Sequence, residues 1–270
     1  MRILLVIAVL SQTSSASAAD PPAEVKGRRI ALTDGQLFVP DGFKAERDGI
    51  ELVLHLHGSA AVAEKNFVRA KRSGVLVSVV LPGLSSVYTE RFKDPKTFQR
   101  ILDETQAQLE KLGIEKPRWK RVVVSSFSAG YGGVREMLKD PAAYARIDAL
   151  VLADSLYAGY VGTEKRVNPE QMAGFARFAK AAAAGEKWFI LSHCQLKPDG
   201  YASTGETADF LLNAVGGKRE VVEETWAGSL KLLSRYRGKQ FEVYSFSGDA
   251  GPDHMRYLQN LSAFWERLPR

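Results

Sequence analysis

The stretch Arg121-Val-Val-Val-Ser-Ser-Phe-Ser-Ala-Gly-Tyr-Gly-Gly-Val-Arg-Glu136 runs a β-branched segment into Ser126-Phe127-Ser128-Ala129-Gly130 and leaves it through small residues at 129, 130, 132 and 133. A serine on a sharp strand-to-helix turn sits in strained backbone, which needs small residues two before and two after it; here these are Ser126 and Gly130. Such a hydroxyl attacks an acyl group only if a base takes its proton and a further group orients that base. Four histidines are available. His55 lies inside an apolar segment and His57 at its end, in Leu54-His-Leu-His-Gly58. His193 closes the run from Trp188, and His254 follows Phe241 to Phe246 in Gly248-Asp-Ala-Gly-Pro-Asp-His254. Of the acids between the serine and His254, two are candidates to orient the base: Asp154, directly after Ala149-Leu-Val-Leu-Ala153, and Asp199, in Gln195-Leu-Lys-Pro-Asp-Gly200 after the run from Trp188. Cys194 has no histidine and acid in the order a thiol nucleophile needs, and is expected as a buried or half-buried free thiol.

A serine corner, a strand ending in His57-Gly58, an intervening acid and a late histidine together resemble the α/β-hydrolase family. The resemblance runs from Ile30 to Leu268 and is one of topology and sites, not of close identity. It implies Ser128 as nucleophile, His254 as base, and an oxyanion hole from the amides of Ser59 and Ala129, with Gly58 letting the backbone turn. Asp154 is favoured as the acid because a strand end fixes its carboxylate, whereas Pro198-Asp199-Gly200 is itself a turn sequence. Asp199 stays open as the alternative, since the family more often uses the later position. The family pattern G-x-S-x-G is broken at its first position, where Ser126 replaces glycine. The activity implied is cleavage of carboxylic esters through an acyl-enzyme. A peptidase or acyltransferase would use the same triad, and a non-catalytic binding protein of the same fold is the reading that the lost glycine favours.

These residues need a scaffold, and the apolar pattern supplies one. Asp34-Gly35 separates two short apolar runs, a hairpin signal. Leu52 to Leu56, Val75 to Leu81, Val122 to Ser126, Ala149 to Ala153, Trp188 to Ser192 and Phe241 to Phe246 are near-continuous, as strands covered on both faces are. Helices are expected after Asp94-Pro95 up to Gly113, after Asn168-Pro169, over Thr207 to Val215, and from about His254 to Leu268. The sum is an α/β fold, a doubly wound, mostly parallel eight-stranded sheet with an N-terminal hairpin, whose site lies at the carboxyl ends of the strands.

The 270 residues are 45% hydrophobic and 25% charged, and the formal charge of +6 is scattered. That excludes fibrous and disordered classes and gives no nucleic-acid footprint. Met1-Arg2, the apolar run Ile3 to Leu10 and Ala16-Ser17-Ala18 read as a signal peptide over 1–18, followed by a loose leader over 19–29 and one domain over 30–270. A secreted or periplasmic location is implied, with no membrane span, since the apolar run falls short of the roughly 20 residues a span needs. No metal and no nucleotide cofactor are expected, because His55 and His57, taken to share a strand face, lack a third ligand and the glycines fit no phosphate-binding fingerprint. Tyr88, Tyr131, Tyr157 and Tyr160 are candidates to line an open cleft for a small-molecule or polymer-borne ester.

Overall fold

The computed structural model describes residues 25–226 and 230–270. The expected signal peptide and most of the leader fall outside these residues. In chain order the hairpin β1 (Gly27–Leu32) and β2 (Gly35–Pro40) is followed by β3 (Ile50–Leu56), α1 (Ala60–Arg69), β4 (Val75–Val79), α2 (Ser85–Phe92) and α3 (Lys96–Lys111). Next come β5 (Trp119–Phe127), a 3₁₀ turn (Ser128–Gly130), α4 (Tyr131–Met137), α5 (Pro141–Arg146) and β6 (Ala149–Ala153). A two-stranded ribbon, β7 (Tyr160–Val161) and β8 (Arg166–Val167), precedes α6 (Pro169–Ala184), β9 (Trp188–His193) and α7 (Thr204–Val215). The chain then forms β10 (Glu220–Trp226), β11 (Leu230–Gly238), β12 (Phe241–Phe246), α8 (Gly251–Gln259) and α9 (Leu261–Trp265). β1 starts at Gly27, so the last residues of the expected leader are strand.

The sheet runs β1-β2-β4-β3-β5-β6-β9-β12-β11-β10. From β4 to β12 every neighbouring pair is parallel, and both margins are antiparallel. This is the expected doubly wound fold, with ten strands in place of eight. The missed strands, β10 and β11, are rich in charge, and β10 exposes most of its side chains. Charge on an edge strand is how a sheet margin avoids further pairing, so it hides the strand from a search for apolar runs. Arg235 on β11 bonds Glu220 and Glu224 across the pair.

The two faces alternate along the buried strands. Leu52, Leu54, Val122 and Val124 pack with α2, α3, α4, α6 and α7, while Val53 and Val123 pack with α1, α8 and α9. Both faces being dry explains why the strands read as continuous apolar runs. Asn168-Pro169 opens α6 as expected, the Asn168 oxygen accepting from the amides of Glu170 and Gln171, while α7 starts before the expected Thr207, at Thr204, behind a capping box of Ser203 and Glu206. The last helix, expected to be continuous, breaks at Asn260. There buried Asn66 of α1 donates to the Leu258 carbonyl and accepts from the Ser262 amide, two groups that would bond each other in an unbroken helix. No helix among the described residues is long and apolar enough to cross a membrane.

Below the sheet, at the end away from the strand carboxyl termini, Glu51 is almost fully buried between Arg72 and Arg121. Arg72 also reaches the carbonyls of Trp265, Leu268 and Pro269, and Arg121 that of Pro269, so one carboxylate anchors the segment after α8. Removing its charge leaves two guanidinium groups without an acid. Glu51→Gln should lower the stability by about 3 kcal/mol, read as the shift of a urea unfolding midpoint; a midpoint equal to that of the parent would refute the role given to this pair.

Candidate active site

The site stands at the carboxyl ends of β3, β5 and β6, which are neighbours in the sheet. Each leads into a non-glycine residue in the left-handed region: His57 at φ 74°, Ser128 at φ 46° and Asp154 at φ 43°. Left-handed backbone costs an L-residue of order 1–3 kcal/mol and persists only where the surroundings impose it. Around Ser128 the imposition is steric. A Cβ on Gly130 would lie 2.4 Å from the Leu56 carbonyl oxygen, and one on Gly132 would lie 2.3 Å from that of Ser85. These glycines let α4 press against the end of β3 and the start of α2, which turns the chain sharply at Ser128.

Asp154 is completely buried. One of its oxygens accepts from the Cys194 amide at 3.0 Å and the Thr204 hydroxyl at 2.7 Å. The other accepts from the Cys194 thiol at 2.9 Å and faces His254 Nδ1 at 2.6 Å. Burial pushes the carboxyl upward, but the hydrogen bond and charge of His254, with the two bonds from Cys194, outweigh it and hold the group below its ordinary value. A carboxylate can only accept, so Nδ1 carries the proton and Nε2 is left as the basic nitrogen. The imidazole also stacks on Phe127, the residue before Ser128, with centroids 4.5 Å apart. Asp154 and His254 are thus joined directly beside the Ser128 turn. No hydrogen bond joins the Ser128 hydroxyl to His254 among the described residues. Asp199 is exposed in the loop after β9, and no hydrogen bond or ion pair links it to His254.

Ser59 is the N-cap of α1, its hydroxyl accepting from the Val62 amide, and Ala129 lies in the 3₁₀ turn before α4. Amides at helix starts have no acceptor within their own helix, which leaves both available to an anion. Gly58, at φ 98°, could not carry a side chain, since a Cβ would come within 2.8 Å of Leu258 on the helix that carries His254. His57 Nδ1 lies 3.1 Å from the Tyr88 hydroxyl, which also accepts from the Leu81 amide. Burial and the nearby His254 charge lower the His57 pKa.

Several sequence expectations change here. Tyr88 is fully buried and braces His57, so it lines no cleft. His55 and His57 do not share a face: the left-handed turn at His57 sends its ring to Tyr88 of α2, while His55 packs edge-on to Trp265 of α9. Tyr131, Tyr157 and Tyr201 form a row with successive centroids 5.6 Å apart, and Tyr160 bonds Glu206 instead of joining it. The donors to Asp154 were not foreseen. Cys194 reaches it because β9 pairs with β6 in a register that sets Ser192 against Ala153, and only that register brings residue 194 to the acid.

No protein-family model and no curated protein matches the chain. Among solved structures it is similar to an uncharacterised protein from Capnocytophaga ochracea, with a TM-score of 0.50 and 11% identity over 91% of this chain. The chain spans 65% of that protein's length. It is also similar to a feruloyl esterase module from Clostridium thermocellum, with a TM-score of 0.48, 11% identity and 94% of each chain covered. A hyperthermophilic esterase from the archaeon Pyrobaculum calidifontis follows, with a TM-score of 0.48 and 12% identity over 89% of this chain and 83% of that one. The first of these likenesses bears on the fold alone.

The remaining histidines are structural and carry their own consequence. His55 is bonded to Ser125, and burial drives its pKa down to about 3. His193 is bonded to the Cys194 carbonyl, and burial followed by the charge of Arg219 brings its pKa to about 4. In the unfolded chain both would take up protons below about pH 6.5. Their contribution is therefore whole above that pH and is lost as pH falls through the folded values, each adding a slope of up to about 1.4 kcal/mol per pH unit in that window. Urea unfolding between pH 7 and pH 5 should show this loss, and His193→Gln should flatten it by about one proton; an unchanged slope would exclude His193 from the effect.

Proposed function

We propose that the chain is an exported serine hydrolase that cleaves carboxylic esters through an acyl-enzyme on Ser128. The observation that carries this reading is the 2.6 Å contact of His254 with buried Asp154, beside a turn that holds Ser128 at φ 46°. His254 Nε2 takes the Ser128 proton as its oxygen attacks the ester carbonyl, and the Asp154 charge stabilises the resulting imidazolium. The amides of Ser59 and Ala129 hold the oxyanion. The imidazolium then protonates the leaving alcohol, and water repeats the sequence on the acyl-enzyme to release the acid.

Between Asp154 and Trp188 the chain inserts only the β7–β8 ribbon and α6, and the tyrosine row runs from buried Tyr157 to exposed Tyr201. That suits an ester carried on a small molecule or on a polymer too large for an enclosed pocket. Export rests on Met1-Arg2, the Ile3 to Leu10 run and Ala16-Ser17-Ala18.

A fluorophosphonate probe applied to the secreted protein should label Ser128, as mass spectrometry of the peptides would read, on a chain whose first residue lies near Ala19. Ser128→Ala and His254→Ala should abolish the label, and ester turnover should fall by at least about 10³-fold. Asp154→Asn should lower kcat by about 10³-fold or more, while Asp199→Asn leaves it near the parent value. A folded protein that resists the probe, or the reverse ranking of the two acids, would overturn the assignment.

A further inference from the structure

Ser126, which stands where the hydrolase pattern has glycine, is fully buried, and its hydroxyl lies 2.7 Å from that of Ser155, also fully buried. The Ser155 hydroxyl donates to the main-chain carbonyl of Ser128 at 2.8 Å. A carbonyl only accepts, and a hydroxyl has one proton to give. The Ser155 proton is therefore committed to Ser128, and the proton between the two serines belongs to Ser126. The hydroxyl chain has a single direction, from Ser126 through Ser155 to the Ser128 carbonyl.

That carbonyl shares its peptide unit with the amide of Ala129. The unit is planar and trans, so its C=O and N–H point in opposite directions, and a grip on the oxygen sets where the amide points. Chains of hydrogen bonds also polarise one another: donation from Ser126 strengthens that from Ser155, and a donor on the carbonyl makes the amide proton of the same peptide more positive. We propose that Ser126 and Ser155 are positioning residues that aim and polarise the Ala129 amide toward the oxyanion. This rests on the serine-hydrolase reading above. It gives the departure from glycine a purpose, since glycine at 126 has no proton to send. It also assigns two tasks to adjacent residues at the end of β6: Asp154 holds the base and Ser155 holds the oxyanion donor.

The test compares Ser155→Ala, Ser155→Thr and Ser126→Gly in the mature chain. Ser155→Ala should lower kcat and the affinity for a boronic acid, a mimic of the tetrahedral state, each by about 10-fold with KM nearly unchanged. Amide hydrogen exchange at Ala129, which needs no turnover and is base-catalysed, should slow by about the same factor, because the amide proton loses the polarisation that makes it acidic. Ser126→Gly should show the same pattern at about threefold, and Ser155→Thr, which keeps the hydroxyl, should restore the parent values. A Ser155→Ala protein that exchanges Ala129 at the parent rate overturns the proposal whether or not the chain has activity. Loss of the hydrolase reading is seen separately, as a parent protein that neither turns over ester nor takes the probe at Ser128.

Discussion

A carboxylate buried away from solvent survives only if donors surround it, and Asp154 is such a group. Its donors come from three elements: the thiol and amide of Cys194 at the end of β9, the hydroxyl of Thr204 at the start of α7, and the imidazole of His254 on α8. The acid therefore ties one strand end and two helices to the end of β6. Losing any donor would leave part of a buried charge unmet, so the same contacts that give His254 its orientation also fix how α7 and α8 meet the sheet. The His254 imidazole is held by the same contacts that hold the fold together.

The rest of the molecule supplies rigidity to that arrangement. The close approach of α4 to β3 depends on Gly130, where no side chain fits, and the corner at Gly58 packs directly on Leu258 of α8. Asn66 bridges the break after α8 with two hydrogen bonds, and Arg72 holds the segment that follows by its carbonyls. His254 is thus on a short helix whose C-terminal end is fixed. Precision of this kind belongs to residues far from any substrate.

Much of this was legible in the sequence because the signals were local. Continuous apolar runs gave the parallel strands, Asp94-Pro95 and Asn168-Pro169 gave helix starts, and the small residues after Ser128 gave the sharp turn. That Asp154 sits fixed at a strand end while Asp199 lies in an exposed turn was also legible locally. What stayed hidden depended on register or on distant partners. Nothing near Cys194 or Ser155 tells that the first donates to Asp154 or that the second grips Ser128, since both contacts are made by pairing between strands far apart in sequence. Strands β10 and β11 were hidden by their charges, and the helix break by a single asparagine on α1. Tyr88 was misplaced for the same reason: a tyrosine after a strand looks like a rim residue until its hydroxyl is seen to close a buried network.

His57, Ser128 and Asp154 form a row of left-handed residues across three neighbouring strand ends. Glycine would relax the backbone at each of them, though at Asp154 it would also leave the Cys194 and Thr204 donors unmet and at His57 it would remove the partner of Tyr88. Each such change would remove an imidazole, a hydroxyl or a carboxylate from a row of neighbouring strand ends. Backbone strain and side-chain chemistry therefore compete most directly at Ser128, and a lineage no longer selected for its hydroxyl would be expected to drift toward glycine there before its core changed.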